Sequence, residues 1–218
     1  MAINLGTSIA STLSTIALTT ALISVAGQAQ AVNLTGTSAG EFGAPLTPDP
    51  SSVYSISSQS GGKNNRFTWG TPAAGSFSNY VQYDGTGFSA DVDGVFDLGK
   101  LTYRNGMTTT ESNFDGDFPL KIALSLSNPV STTENFNFLF NILNTPNITG
   151  DPVLDGDKLR FSTTGISSQT FSYNNVDYTL QLIGFSSDGG KTILSQFNSP
   201  EDSVASADLF GKITAVCR

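Results

Sequence analysis

Phe136, Phe138, Phe140 and Ile142 alternate with Asn135, Asn137, Leu139 and Asn141. Apolar residues at every second position share one face only when the backbone is extended, so this run predicts a strand with one buried side. Ile122, Leu124 and Leu126 repeat the pattern against Lys121, Ala123 and Ser125, and Val176, Tyr178, Leu180 and Leu182 against Asp177, Thr179 and Gln181. Between such runs stand Asp84-Gly85, Asp93-Gly94, Asn105-Gly106, Asn128-Pro129 and Gly189-Gly190, dipeptides that reverse the chain. Strands are expected over 53–57, 66–69, 80–83, 87–90, 95–103, 120–127, 136–143, 158–162, 170–173, 176–185 and 207–215, with no helix after Ala31. Each has one apolar face to bury. Two antiparallel sheets packed face to face meet that need most simply, so the expected fold is all-β, a jelly-roll-like sandwich. Fifteen Phe and one Trp supply large inward side chains.

The first 62 residues read differently. Residues 1–31 contain no charged side chain, include an apolar stretch from Ile16 to Ala26, and close on Ala29-Gln30-Ala31. That is the order of a secretory signal peptide cleaved before Val32, although its n-region lacks Lys and Arg. Residues 32–62 are rich in Gly, Ser and Pro, and are expected to form a loose lead-in with one short strand, 53–57. Residues 63–218 are expected to hold the sandwich.

Composition narrows the chemistry. There is no histidine, which removes Ser-His-Asp and Cys-His nucleophilic sites and every imidazole acid/base mechanism. The single cysteine, Cys217, cannot close an intramolecular disulfide. Ten basic residues are spread thinly through a chain of net charge −8, with no Lys/Arg run to displace counterions from a nucleic acid, so nucleic acid is not expected as a partner. Only 13% of residues are charged. The surface is therefore expected to be largely hydroxyl and amide, and compatible with neutral polysaccharide or a divalent cation.

Three acidic groups and one aromatic pair are candidate sites. Asp91, Asp93 and Asp97 surround Gly94, Asp115 and Asp117 bracket Gly116, and Asp151, Asp155 and Asp157 lie around Pro152 and Gly156. Calcium takes six to eight oxygen ligands, and close carboxylates on a turn supply several, so the Asp151, Asp155, Asp157 loop is the preferred metal site. The same residues also simply make turns. Phe67 and Trp69 fall on one face of a strand. They form either a stacking platform for a sugar ring or an anchor between the sheets.

The order of motifs resembles the choice-of-anchor K domain of secreted bacterial proteins, common in cyanobacteria. The resemblance runs through Phe67-Thr68-Trp69-Gly70-Thr71-Pro72, Phe96-Asp97-Leu98-Gly99-Lys100-Leu101-Thr102-Tyr103-Arg104-Asn105-Gly106 and Phe136-Asn137-Phe138. It continues through Asn144-Thr145-Pro146-Asn147, Asp157-Lys158-Leu159-Arg160-Phe161, Tyr178-Thr179-Leu180-Gln181-Leu182-Ile183-Gly184-Phe185 and Ala207-Asp208-Leu209-Phe210-Gly211-Lys212-Ile213-Thr214. It implies an extracellular or envelope module without established catalytic residues, followed in that family by a sorting tail, such as the PEP-CTERM type. No such tail follows Thr214 in this sequence, and free secretion or a truncated gene is the expectation.

Taken together, these readings predict a secreted, non-enzymatic module of the cell envelope or extracellular matrix, adhesive or carbohydrate-binding, with extracellular polysaccharide or envelope components as partners. No cofactor is expected beyond calcium, and no membrane span in the mature chain. The alternative is a carbohydrate-active enzyme working with two carboxylates, since a glycosidase needs no histidine. A third reading has the lead-in pairing with a neighbour's sheet edge.

Overall fold

The computed structural model describes residues 32–46, 53–162 and 165–216. The expected signal peptide and Cys217 lie outside them. The strands are β1 (Asn33–Phe42), β2 (Tyr54–Ser57), β3 (Arg66–Trp69), β4 (Asn79–Gly85), β5 (Gly87–Asp91), β6 (Val95–Asn105) and β7 (Gly116–Asn128). They continue as β8 (Thr132–Leu143), β9 (Asp157–Phe161), β10 (Phe171–Tyr173), β11 (Val176–Ser186), β12 (Gln196–Ser199) and β13 (Ser203–Val216). Among the described residues a single 3-10 turn, Thr110–Ser112, interrupts them. Two sheets form, ordered β12-β9-β8-β7-β1-β5 and β10-β11-β13-β6-β4-β3-β2, and every pairing within them is antiparallel. The fold is an all-β two-sheet sandwich.

The alternating runs do what their period requires. Phe136, Phe138, Phe140 and Ile142 are buried, as are Ile122, Leu124, Leu126, Tyr178, Leu180 and Leu182. Val176 is the exception at 38% exposure, because it opens β11 directly after the Asn174-Asn175 turn. Both asparagines have left-handed backbones, φ 48° and 62°, the conformation a two-residue hairpin loop needs and Asn tolerates. Aromatic rings fill the space between the sheets. Phe67 of β3 stacks on Phe118 of β7 at 5.0 Å and on Trp69 at 5.4 Å, while Phe140 of β8 meets Phe185 of β11 edge-on at 6.2 Å.

Two strands depart from the sequence reading. The loose lead-in contains β1, ten residues paired on one side with β7 and on the other with β5. The segment thus completes its own chain's sheet, which corrects the expectation of a loose lead-in. Its inward residues include Ser38 and Gly40, not large apolar side chains, and so gave no alternating signal. The space is taken from the opposite sheet, where Tyr83 of β4 leans against Gly40. A Cβ on Gly40 would lie 2.3 Å from the Tyr83 ring. The Tyr83 hydroxyl is 3.0 Å from Ser38 Oγ and donates to the Leu98 carbonyl at 2.5 Å, and Ser38 Oγ donates to the same carbonyl. Strand β12, short and on an edge against β9, likewise lies outside the expected strands.

Candidate functional site

The connection from β8 to β9 passes over one end of the sandwich, and its conformation is set by the acids that the sequence singled out. Asp151 Oδ1 accepts from the backbone N–H of Val153 at 2.8 Å and of Leu154 at 3.3 Å, closing a local turn. Asp155 is buried and accepts from Thr149 Oγ1 at 2.8 Å, Thr149 N at 3.0 Å and Gly150 N at 2.8 Å. Burial would raise its pKa, but these donors prevail and hold the carboxyl below the usual range. Asp157, the first residue of β9, points inward. It accepts from Tyr103 Oη at 2.9 Å and from Thr145 N at 2.8 Å.

The three carboxylates therefore serve different partners. Among the described residues no group of three or more acidic or thiol side chains is arranged to hold a metal ion. Asp151, Asp155 and Asp157, expected as a calcium site, thus each turn toward donors of their own neighbourhood. The other acidic sets diverge likewise. Asp91 accepts from Asn33 Nδ2 at 3.1 Å and Asp97 from Gly99 N at 2.8 Å, while Asp117 takes Asn141 Nδ2 at 2.8 Å and Ser162 Oγ at 2.6 Å.

Phe67 and Trp69 are 0% and 1% exposed. The stacking-platform reading is corrected: both rings sit in the core, and Trp69 also packs against Tyr103 at 5.6 Å and Phe114 at 6.0 Å. Alternation placed them on one face, and the face is the inner one.

What lies beside the β8–β9 connection is an open groove of about 430 Å³. Met107, Asn147, Gly150, Pro152 and Asp155 line it together with Glu201 and Asp202 from the turn between β12 and β13. The two walls are tied by the backbone N–H of Glu201, which donates to the Pro152 carbonyl at 2.9 Å. Asn105 Nδ2 donates to Glu201 Oε2 at 3.1 Å and to the Ser199 carbonyl at 3.1 Å. Ile148, Val153 and Leu154 on the same connection are exposed.

Electrostatics links this groove to the interior. Burial lifts the Asp157 carboxyl to about 6, against the pull of its Thr145 and Tyr103 donors, and the carboxylates of Glu201 and Asp115 add to the lift. Glu201 is raised as well, first by burial. Burial likewise keeps the Tyr103 hydroxyl protonated far above its ordinary range. Glu201 and Tyr103 had no mark in the sequence as partners of Asp157. Neither is near it along the chain, and only the pairing of β9 with β12 and of β6 with β13 brings them to one end.

No family model matches the chain, and no curated protein is similar to it at a significant level. Among the described residues no helix is long and apolar enough to cross a membrane.

Proposed function

We propose that the chain is a secreted, non-enzymatic module of the cell envelope or extracellular matrix that contacts polysaccharide, of the choice-of-anchor K kind that its motif order resembles. One observation carries the reading: the acids of the β8–β9 connection accept hydrogen bonds from the chain's own N–H and O–H groups. They act as braces. Asp155 organises the loop from Thr149 to Gly150, and Asp157 fastens β9 to Tyr103 of the facing sheet. A braced rim next to a groove with an amide, carboxylates and a methionine suits a sugar chain held by hydrogen bonds and apolar contact. A glycan array probed with the mature protein tests this, and binding to no extracellular or cell-wall polysaccharide would remove the reading.

The alternative, a carbohydrate-active enzyme, draws support from the raised values of Asp157 and Glu201, since a glycosidase needs one carboxylic acid that stays protonated. Hydrolysis of a bound glycan by the wild-type protein, abolished by Glu201→Gln, would establish it. Binding without release of reducing ends would favour the module.

A further inference from the structure

The outer face of the second sheet carries charge in rows. In one row Lys100 of β6 stands between Asp84 of β4 and Asp208 of β13, a cation flanked by acids. The next row runs from Arg66 of β3 through Gln82 and Thr102 to Ser206, with Thr102 Oγ1 and Ser206 Oγ 3.1 Å apart. The third aligns Thr68, Tyr80, Arg104 and Val204 across four strands. Arg66, paired with Gln82, reaches into it.

Here two of the chain's four arginines meet around one ring. The Arg66 guanidinium lies 4.1 Å from the Tyr80 centroid, and that of Arg104 lies 3.7 Å from Phe77 and 6.0 Å from Tyr80. Stacking engages the flat face of a guanidinium and leaves its N–H donors at the rim. Arg66 is steadied further, giving Nε and Nη2 to Gln82 Oε1, while the Gln82 amide donates to both oxygens of Asp84. The Arg104 guanidinium has no hydrogen bond or ion pair among the described residues. The ion pairs there belong to Glu41, with Lys121 at 3.1 Å and Lys63 at 3.3 Å. Asp202, in the turn before β13, accepts instead from Ser76 Oγ at 2.6 Å. Holding two cations on aromatic rings without a carboxylate partner leaves them free for an anion from outside.

We propose that this face binds an acidic polysaccharide, one whose sugar rings carry carboxylates, and that Arg66 and Arg104 take those carboxylates. The proposal rests on the polysaccharide-contact reading and names both the class of glycan and a surface separate from the groove. A carboxylate matches the planar fork of a guanidinium, and the adjacent row of Thr102 and Ser206 offers hydroxyls to the hydroxyls of a sugar. A polyphosphate is the poorer fit, because it brings no hydroxyls to the row of Thr102 and Ser206 and no planar carboxylate to the guanidinium forks.

Isothermal titration of the mature protein with polygalacturonate, neutral dextran and inorganic polyphosphate tests the assignment. Polygalacturonate is expected to bind, more weakly as salt rises. Arg66→Gln and Arg104→Gln should each lower its affinity about tenfold, the scale of one charge-assisted hydrogen bond. Arg104→Lys, which keeps the charge and loses the fork, should recover only part of that loss, and Lys212→Gln should change nothing. Thermal melts matching the wild type establish that the variants fold. Polygalacturonate binding unaltered in the double glutamine variant, or equal binding of polyphosphate, would overturn the proposal. Binding of dextran alone, indifferent to both arginines, would overturn it and leave the general polysaccharide reading standing. Failure of all glycans would remove both.

Discussion

Asp157 is 2% exposed and its carboxyl is lifted to about 6, so ionising it in the folded chain is costly. An unfolded aspartate titrates near about 3.9, and a gap of about two pH units corresponds to about 3 kcal/mol. The sign follows from which state holds the proton more tightly. Folding raises the value, so the favourable contribution is complete below about pH 4, declines as pH rises through about 6, and is absent at pH 8. Asp157→Asn removes the titration and keeps the shape: its carboxamide oxygen can accept from Thr145 N, and its NH₂ can donate to Tyr103 Oη. Relative to the wild type, the variant should therefore gain about 3 kcal/mol between pH 4 and pH 8, equivalent to about 6–12 °C in melting temperature for a domain of this size. Urea titrations across that range, followed through Trp69, provide the measurement, since the indole packs 5.6 Å from Tyr103. Glu201, Asp115 and Asp97, also raised by burial, are present in both proteins, and the comparison largely cancels them. A stability difference that stays constant from pH 4 to pH 8 would refute the reasoning.

Other substitutions probe the packing. Gly40→Val drives a side chain into the Tyr83 ring and should cost about 1–3 kcal/mol or more in chemical denaturation, with β1 the first strand to lose amide protection. Phe138→Asp buries a charge among the rings of β8 and should leave no cooperative melt. A soluble variant that still unfolds sharply would contradict the register. Thr149→Val deletes the hydroxyl that Asp155 accepts from and should destabilise by roughly 1 kcal/mol, while EDTA should leave the wild-type melting point unchanged. Trp69 emission should be that of a buried indole and should not respond to added polysaccharide.

Where a strand buries large side chains against the opposite sheet, its residues announce it. The faces of β7 and β8, and most of that of β11, are readable because Phe, Ile, Leu and Tyr alternate with small or polar residues over many positions. β1, in the sheet of β7 and β8, hid because its burial partner is the Tyr83 ring, which needs Gly40 and Ser38 opposite it. Among the acids, the sequence located the Asp151 to Asp157 connection but not its use. Carboxylates close together along a turn look like a ligand set, whereas the folded chain supplies each with its own donors.

Period and turn chemistry alone determined that this chain is an antiparallel all-β sandwich, because side chains two apart share a face whatever the strand's neighbours are. Which residues meet across strands was decided only by the tertiary structure. The thinly spread basic residues show no cluster along the chain, yet the register of β3, β4 and β6 stacks Arg66 and Arg104 around Tyr80. The same pairing logic carries Glu201 to the end of the sandwich where Asp157 and Tyr103 meet. Pairing between strands distant in sequence is a property of the whole sheet, so no local stretch can encode it.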